Sequence, residues 1–275
     1  MSDKSNQKLF LIDGNSFCYR AYYAIRYLSN SKGQPTNAIF GFITMIRKII
    51  NEEKPDMLAV TFDLKGPTFR HKKYANYKAH RKPMPDDLIN QLPYIKKLVK
   101  IFNIPIYEKE GYEADDIMAT IAENAKVKGI NTFIATGDKD MLQLVDARIK
   151  VYNPQKEGII YDEKEVKKRY GVGPDKITDL MALMGDTSDN IPGVPGIGEK
   201  TAVELMKEFG SLEILLKNTK KIKSDSRRKK IEEGKDLAKL SKELATVKKD
   251  VPIEIKFQEL PLKKPDKEAL IEFYK

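Results

Sequence analysis

Nine carboxylates of this chain fall in five short blocks: Asp13 in LIDG, Asp63 in TFD, Glu113, Asp115 and Asp116 in EADD, Asp138 and Asp140 in DKD, and Asp186 and Asp189 in GDTSD. Most of the blocks stand just beyond an apolar, strand-like run. In a sheet of parallel strands such positions gather at the C-terminal edge, where open α/β folds form their ligand crevice. Two carboxylates about 4 Å apart repel by roughly 4 kcal/mol at an effective dielectric of 20. A chain that collects this many needs counter-charge. Hard divalent cations, Mg2+ or Mn2+, supply it, because they take oxygen ligands. Whether Asp116 and Asp189 touch an ion or support the acids that do stays open at this level, because adjacent residues on a helix point about 100° apart.

The segments between the blocks alternate in period. Lys8 to Asp13 (KLFLID) reads as a buried strand and Ser16 to about Tyr27 as a helix; Asn37 caps a second helix with Ile39, Phe42, Ile43, Ile46 and Ile50 on one face. Strand Met57 to Phe62, helix Pro85 to Phe102, short strand Ile104 to Tyr107, a helix opened by Glu113 and running to Lys128, and strands Asn131 to Ala135 and Ile149 to Tyr152 follow. This alternation predicts an α/β fold with a mainly parallel central sheet and helices on both faces. Beyond about Lys164 helices take over, which divides the chain into an α/β part, residues 1–163, and a helical part, residues 164–275. The last stretch, Lys267 to Lys275, reads as an amphipathic helix without a stop signal, as expected of a fragment of something longer.

Composition narrows the chemistry. No apolar run approaches the ~18 residues of a membrane span, and the start, Met1 to Lys8, is polar, so a cytosolic protein is expected. The single Cys18 excludes an internal disulfide, and with only His71 and His80 beside it no tetrahedral zinc set assembles. Cys18 is expected to be a small buried hydrophobe. With nine of the 40 acids neutralised by metal, the excess carried by the 50 Lys and Arg rises from +10 to +19. A basic body around an acidic hole suits a polyanion brought to metal.

Two segments give that polyanion a form. Lys65 to Met84 carries seven Lys or Arg, both histidines, two tyrosines and no acid. Tyr74 and Tyr77 interleave there with Arg70, Lys72, Lys73, Lys78, Arg81 and Lys82, and aromatic faces with cations are what a single strand binds without sequence preference. Gly193 to Gly198 (GVPGIG) opens a helix with Ala202, Leu205, Met206 and Phe209 on its apolar face. It fails as a P-loop, since Glu199 intervenes before Lys200 and Thr201 and no strand precedes it. Its glycines, Gly196 and Gly198 among them, instead let backbone N–H groups approach a nucleic-acid phosphate at the helix N-terminus, with Lys200 and Thr201 beside them. The basic run Lys217 to Lys230 fits a DNA flank and a solvated surface equally well.

The stretches LFLIDGNSFCYRAYYA, TFD, FRHKKYANYKAHRKPMP, GYEADD, TGDKD and MGDTSDNIPGVPGIGEKTA resemble, in unbroken order from about residue 8 to 260, the 5′ nuclease domain of bacterial DNA polymerase I and the wider flap endonuclease family. The resemblance implies a Rossmann-like, PIN-type domain with a helical arch over about 64–102, and a helix-three-turn-helix DNA-binding region. It implies two Mg2+ (or Mn2+), with Asp13, Asp63, Glu113 and Asp115 around the first and Asp115, Asp138, Asp140 and Asp186 around the second, Asp116 and Asp189 supporting. Lys78, Arg81 and Arg20 are then phosphate contacts, and the backbone oxygens of Gly193, Val194 and Ile197 seat a monovalent cation, K+.

The activity implied is hydrolysis of DNA at the junction of a duplex and a 5′ single strand, for removal of flaps or RNA primers in replication and repair. The implied protein is a bacterial, cytosolic monomer, standing alone or followed by DNA polymerase modules. A non-catalytic DNA-binding module and a PIN-type ribonuclease are the rival readings.

Overall fold

Strand β1 (Lys8–Asp13) feeds two cores at once: Leu9 and Leu11 point to one side, Phe10 and Ile12 to the other, and all four are fully buried. A strand buried on both faces belongs in the middle of a parallel sheet. The computed structural model, which describes residues 7–156 and 158–275, places it there. Of the polar start expected over Met1 to Lys8, residues 1–6 lie outside the described residues.

After β1 come α1 (Gly14–Ala24), α2 (Asn37–Glu53), β2 (Met57–Thr61), α3 (Phe69–Lys73), α4 (Asp86–Ile101), β3 (Ile106–Tyr107), α5 (Ala114–Val127), β4 (Asn131–Ala135), β5 (Ile149–Asn153) and β6 (Ile159–Tyr161). The rest is helical: α6 (Glu163–Tyr170), α7 (Ile177–Met184), α8 (Glu199–Phe209), α9 (Leu212–Lys217), α10 (Asp225–Glu233), α11 (Lys235–Ala245) and α12 (Lys267–Phe273). The strand order is β3-β2-β1-β4-β5-β6, parallel throughout except for β6, which pairs antiparallel with β5. Because β2 and β3 lie on one side of β1 and β4 and β5 on the other, the winding reverses at β1. That is where such sheets open a crevice beyond the carboxyl ends of their strands.

Helices α1, α2 and α4 cover one face, with Phe17, Phe42, Ile46, Leu88, Ile95 and Leu98 buried among Phe10, Ile12, Leu58 and Val60. The other face carries α5, α7, α8 and α11 in a single apolar cluster that runs from Leu9, Ala59 and Ile134 to Leu205, Ala238 and Leu244. The helical region expected from residue 164 therefore shares a core with the sheet rather than enclosing one of its own. The arch expected over about 64–102 is also shorter than that. Helix α4 is a packed core helix, and only the segment from Leu64 to Pro85, with the five-residue α3, stands over the strand ends. Among the described residues no helix is long and apolar enough to cross a membrane.

Helix α7, the connection Gly185–Gly198 and α8 form the hairpin unit. Its geometry requires glycine: Gly193 has φ +62°, and a Cβ there would stand 2.3 Å from the Gly185 nitrogen. The Gly193 N–H donates to Ser241 Oγ on α11 at 2.9 Å and the Val194 N–H to the Leu183 carbonyl at 2.8 Å, so the hairpin is anchored to both helices beneath it.

The start of α2 depends on a residue far along the chain. Thr36, at its N-cap, makes no side-chain cap, and Gln91 Oε1 instead accepts from the Ala38 and Ile39 N–H groups at 2.9 and 3.2 Å. Gln91 Nε2 donates to Asn37 Oδ1, and Asn37 in turn donates to the carbonyls of Tyr22 and Ile25, which ends α1 at Ala24. Gln91→Leu strands buried N–H groups, each worth about 1–3 kcal/mol. Urea denaturation is expected to show a loss of that order without any change in metal response; an unchanged midpoint would contradict this role.

Candidate active site

The loops that leave the strands decide which acids meet. Asp13 ends β1 and caps α1, its Oδ1 accepting from the Ser16 N–H at 2.9 Å and its Oδ2 from Thr136 Oγ at 2.8 Å. Thr136 follows β4 and also receives the Asp138 N–H at 3.1 Å, so one hydroxyl sets two of the acids. Asp63 follows β2; its N–H donates to Asn15 Oδ1 and its Oδ1 accepts from the Ala114 N–H at 2.7 Å. Glu113 caps α5, placing Asp115 and Asp116 in the first turn, where the helix dipole favours acids. Asp186 and Asp189 stand in the connection between α7 and α8, which an antiparallel bridge from Asp186 to Ile191 closes.

These elements bring Asp13, Asp63, Glu113, Asp115, Asp138 and Asp186 to the wall of one cleft of about 490 Å³, together with Asn15, Ser16, Lys78, Arg81, Lys139 and Ser188. Burial pushes the Asp13 carboxyl up to about 6 against the Ser16 hydrogen bond, and the charge of Asp63 adds to the rise. Asp115 is held well above the usual carboxylate range by burial and then by Asp138 and Asp13. Asp140 is raised likewise by burial and by Asp138, and its Oδ1 is buried without a hydrogen-bond partner. Such a group of mutually repelling oxygens, one of them orphaned, has the donor chemistry that hard divalent cations take.

Cations stand among the acids. From the segment that crosses the strand ends, Lys78 Nζ lies 2.8 Å from Glu113 Oε1 and 3.5 Å from Asp189 Oδ2, and Arg81 reaches Asp189 Oδ1 at 2.5 Å. Despite its burial, Lys78 is kept above the ordinary lysine range by Glu113 and Asp189. Burial alone would raise Asp189, but Lys78 and Arg81 hold it below the usual range. Lys139 pairs with Asp186 Oδ2 at 3.3 Å, while Asp186 Oδ1 takes the Ser188 N–H and hydroxyl. Among the described residues no three His, Cys, Asp or Glu side chains form, as they stand, a group that could hold a metal ion.

Several residues expected in the site have other positions. Arg70, expected to contact DNA, is 2% exposed and bonded to both oxygens of Asp116 at 2.8 Å. Asp116, expected among the metal acids, is fully buried, and its carboxylate accepts four donors: two from Arg70, one each from the Glu113 and Lys248 N–H groups. An ionised carboxylate has about four lone-pair sites, so none is left for an ion. Tyr77, expected to stack on bases, is 3% exposed, with its hydroxyl 3.0 Å from both Glu113 Oε2 and Asp189 Oδ2. Tyr74 packs half-buried against the core. A guanidinium or phenol finds more partners in this acidic interior than at the surface. A charge run read along the chain does not reveal that.

Lys72, Lys73, Lys82 and Lys200 are exposed, Lys73 in an ion pair with Glu243. Arg20 lies half-buried on α1, one turn after Ser16, and is not among the residues that line the cleft. Gly196 and Gly198 are exposed at the tip of the hairpin, Thr201 is half-buried, and Lys230 Nζ donates to the Gly196 carbonyl at 3.2 Å. The basic run thus meets the hairpin. Val194 and Ile197 are buried, and the Val194 carbonyl accepts the Ile197 N–H at 3.0 Å. His71 accepts from Thr68 in a capping box of α3. Sequence reasoning missed Asn15, Thr136, Lys139 and Ser188, although each adjoins or lies within an acidic block, where a polar residue closing an apolar strand is the signal.

The family model of the 5′-3′ exonuclease, N-terminal resolvase-like domain, matches residues 8–171, and that of the 5′-3′ exonuclease, C-terminal SAM fold, matches residues 172–268. The 5′-3′ exonuclease of Aquifex aeolicus is 43% identical over 258 residues, which is 94% of this chain and 88% of that protein. DNA polymerase I of Caldicellulosiruptor bescii is 47% identical over 270 residues, 96% of this chain and 32% of that protein. The chain therefore spans about a third of the length of its polymerase relatives. Among solved structures, the T5 D15 protein co-crystallised with metal ions matches with a TM-score of 0.75 at 21% identity, over 87% of this chain and 89% of that one. The catalytic core of Rad2 in complex with DNA substrate matches with a TM-score of 0.60 at 21% identity, over 98% and 87%. At that identity these two establish the fold, a mixed α/β resolvase-like domain with a SAM-like helical region. With both halves matched by family models and a relative of nearly equal length at 43% identity, the chain belongs to the 5′-3′ exonuclease family.

Proposed function

We propose that the chain is a structure-specific 5′ to 3′ exonuclease and flap endonuclease, hydrolysing DNA where a duplex meets a 5′ single strand, with two Mg2+ or Mn2+ ions in its cleft. One observation carries the reading: acids delivered by β1, β2, β4, α5 and the α7–α8 connection line a single cleft beneath a segment that lowers Lys78 and Arg81 into it. The T5 D15 protein co-crystallised with metal ions, and the T5 D15 flap endonuclease in complex with DNA and metal ions, share this fold and support it.

Asp13, Asp63, Glu113, Asp115, Asp138 and Asp186 are the residues to hold the ions, with the orphaned Asp140 oxygen behind them. When bound, the ions supply Lewis acidity that activates water and offsets phosphoryl charge. The chain does the rest. Thr136 and Ser188 fix the orientation of Asp13, Asp138 and Asp186. Lys78 and Arg81, paired here with Glu113 and Asp189, exchange those partners for the scissile phosphate and stabilise charge on its oxygens. Asp189 then acts as the resting partner of the two cations.

The exposed hairpin tip with Gly198 at the N-terminus of α8, Lys200 beside it and the α10 lysines grips duplex phosphates, which positions DNA without reading bases. Backbone oxygens of Gly193, Val194 and Ile197 seat K+ at the turn. We place the enzyme in the cytosol as a monomer, trimming 5′ flaps or RNA primers, alone or ahead of a polymerase.

Three outcomes are expected. In a Mg2+-dependent assay on a 5′-flap duplex, the wild type cleaves and Asp138→Ala loses activity by roughly 10³-fold while still binding the substrate; no wild-type cleavage, or an undiminished variant, would sink the reading. Lys78→Ala lowers kcat by about 10²-fold, the typical effect of one lost donor to developing charge, with a smaller change in KM. The raised Asp13 carboxyl makes the metal-free protein lose stability as pH climbs from about 4 through about 6, by on the order of 2–3 kcal/mol for that group. Thermal melts should show Mg2+ or Mn2+ raising Tm more at about pH 7 than at about pH 5. An equal metal shift at both would contradict a cluster that exchanges protons for metal.

A further inference from the structure

Arg70 leaves α3 toward the interior, and all five of its N–H donors are used. Nε donates to the Leu244 carbonyl at 2.8 Å, one terminal nitrogen to Glu113 Oε2 at 3.1 Å and Asp116 Oδ2 at 2.8 Å, and the other to Asp116 Oδ1 at 2.8 Å and the Thr246 carbonyl at 3.0 Å. A guanidinium has five donors in a rigid fork, and no other side chain can meet this set of acceptors. One residue thereby joins three bodies: the segment over the cleft, the first turn of α5, and the C-terminal end of α11 with the chain that follows it.

The joint continues on both sides. Asp116 accepts the Lys248 N–H at 2.8 Å, and the Thr120 hydroxyl donates to the Asp116 carbonyl while accepting the Val251 N–H at 3.1 Å. Residues 244–251 are in this way stapled to α5. On the cleft side, every side-chain partner of the Glu113 carboxylate among the described residues comes from the covering segment: Arg70, Tyr77 and Lys78. Helix α11 also carries Ser241, which holds Gly193 of the hairpin. A contiguous set of bonds therefore runs from the hairpin through the end of α11 to Glu113.

We infer that Arg70 is a positioning residue of the nuclease site: it acts through Glu113, transferring the seat of α11 and the hairpin to that carboxylate, and it does not contact DNA. The inference rests on the nuclease reading above, which wild-type cleavage tests separately. Arg70→Lys keeps the charge but not the fork. Its kcat on a 5′-flap duplex should fall about tenfold or more, and its Mg2+ concentration for half-maximal rate should rise severalfold, the range typical when a group supporting a metal ligand is lost. KM for DNA should stay within about twofold.

Metal-free hydrogen exchange gives a readout independent of activity: amides of 69–81 and of 244–251 should lose protection together in Arg70→Lys. Thr120→Val, which removes the acceptor for Val251 without touching the cleft, should move the Mg2+ requirement the same way by a smaller factor, and Thr120→Ser should restore it. A folded Arg70→Lys with wild-type kcat and Mg2+ requirement overturns the inference, as does a variant whose loss lies wholly in KM for DNA, the mark of a direct contact. If Arg70→Lys does not fold, an unchanged Mg2+ requirement in Thr120→Val overturns it.

Discussion

The repulsion among buried carboxylates at the strand ends is the constraint around which the molecule is arranged. Asp13, Asp115, Asp138 and Asp140 all hold their protons more tightly than free carboxylic acids do, with burial as the largest cause and their neighbours' charge adding to it. A fold with such a cluster needs both a frame that resists its dispersal and a source of positive charge. The sheet provides the frame. Asp13 sits at the end of a strand whose side chains are packed on both faces, and Thr136, just past the neighbouring strand β4, grips it.

Positive charge arrives in two forms with different fates. Arg70 is buried and saturated, its fork matched to Asp116 and two carbonyls, and it behaves as part of the frame. Lys78 and Arg81 are less committed: Lys78 has a positive φ of 56° at the turn where the segment dips into the cleft, and Arg81 is half exposed beyond it. Side chains held this way suit cations that exchange an acidic partner for a phosphate. The same division separates Asp116, whose lone pairs are filled, from Asp186 on the cleft wall.

Much of this was legible in the sequence. The strands Lys8–Asp13 and Asn131–Ala135 follow their apolar runs, Glu113 opens α5 as its acids suggest, and the glycines of the hairpin stand where a turn must pass close to another backbone. Contacts made across long stretches of chain were not. Asn37 looks like a helix cap, yet α2 is capped by Gln91, 54 positions later, because its side chain arrives there only once α4 has packed. Strand β6 is three residues long and carries too little periodicity to be seen. The run from Lys65 to Met84 looks like one basic, aromatic surface, but its alternate residues have opposite fates: Arg70 and Tyr77 turn inward to acids far along the chain, while Lys72 and Lys82 remain in solvent.

A crystal structure of the chain soaked with Mn2+, with anomalous scattering used to locate the ions, distinguishes cleft acids that bind divalent ions as a set from an Asp116 that leaves Arg70 for metal. Anomalous peaks are expected among Asp13, Asp63, Glu113, Asp115, Asp138 and Asp186, with Lys78 displaced from Glu113 and the Arg70–Asp116 pair intact. An ion coordinated by Asp116, or no peak within the cleft at saturating Mn2+, would contradict this assignment.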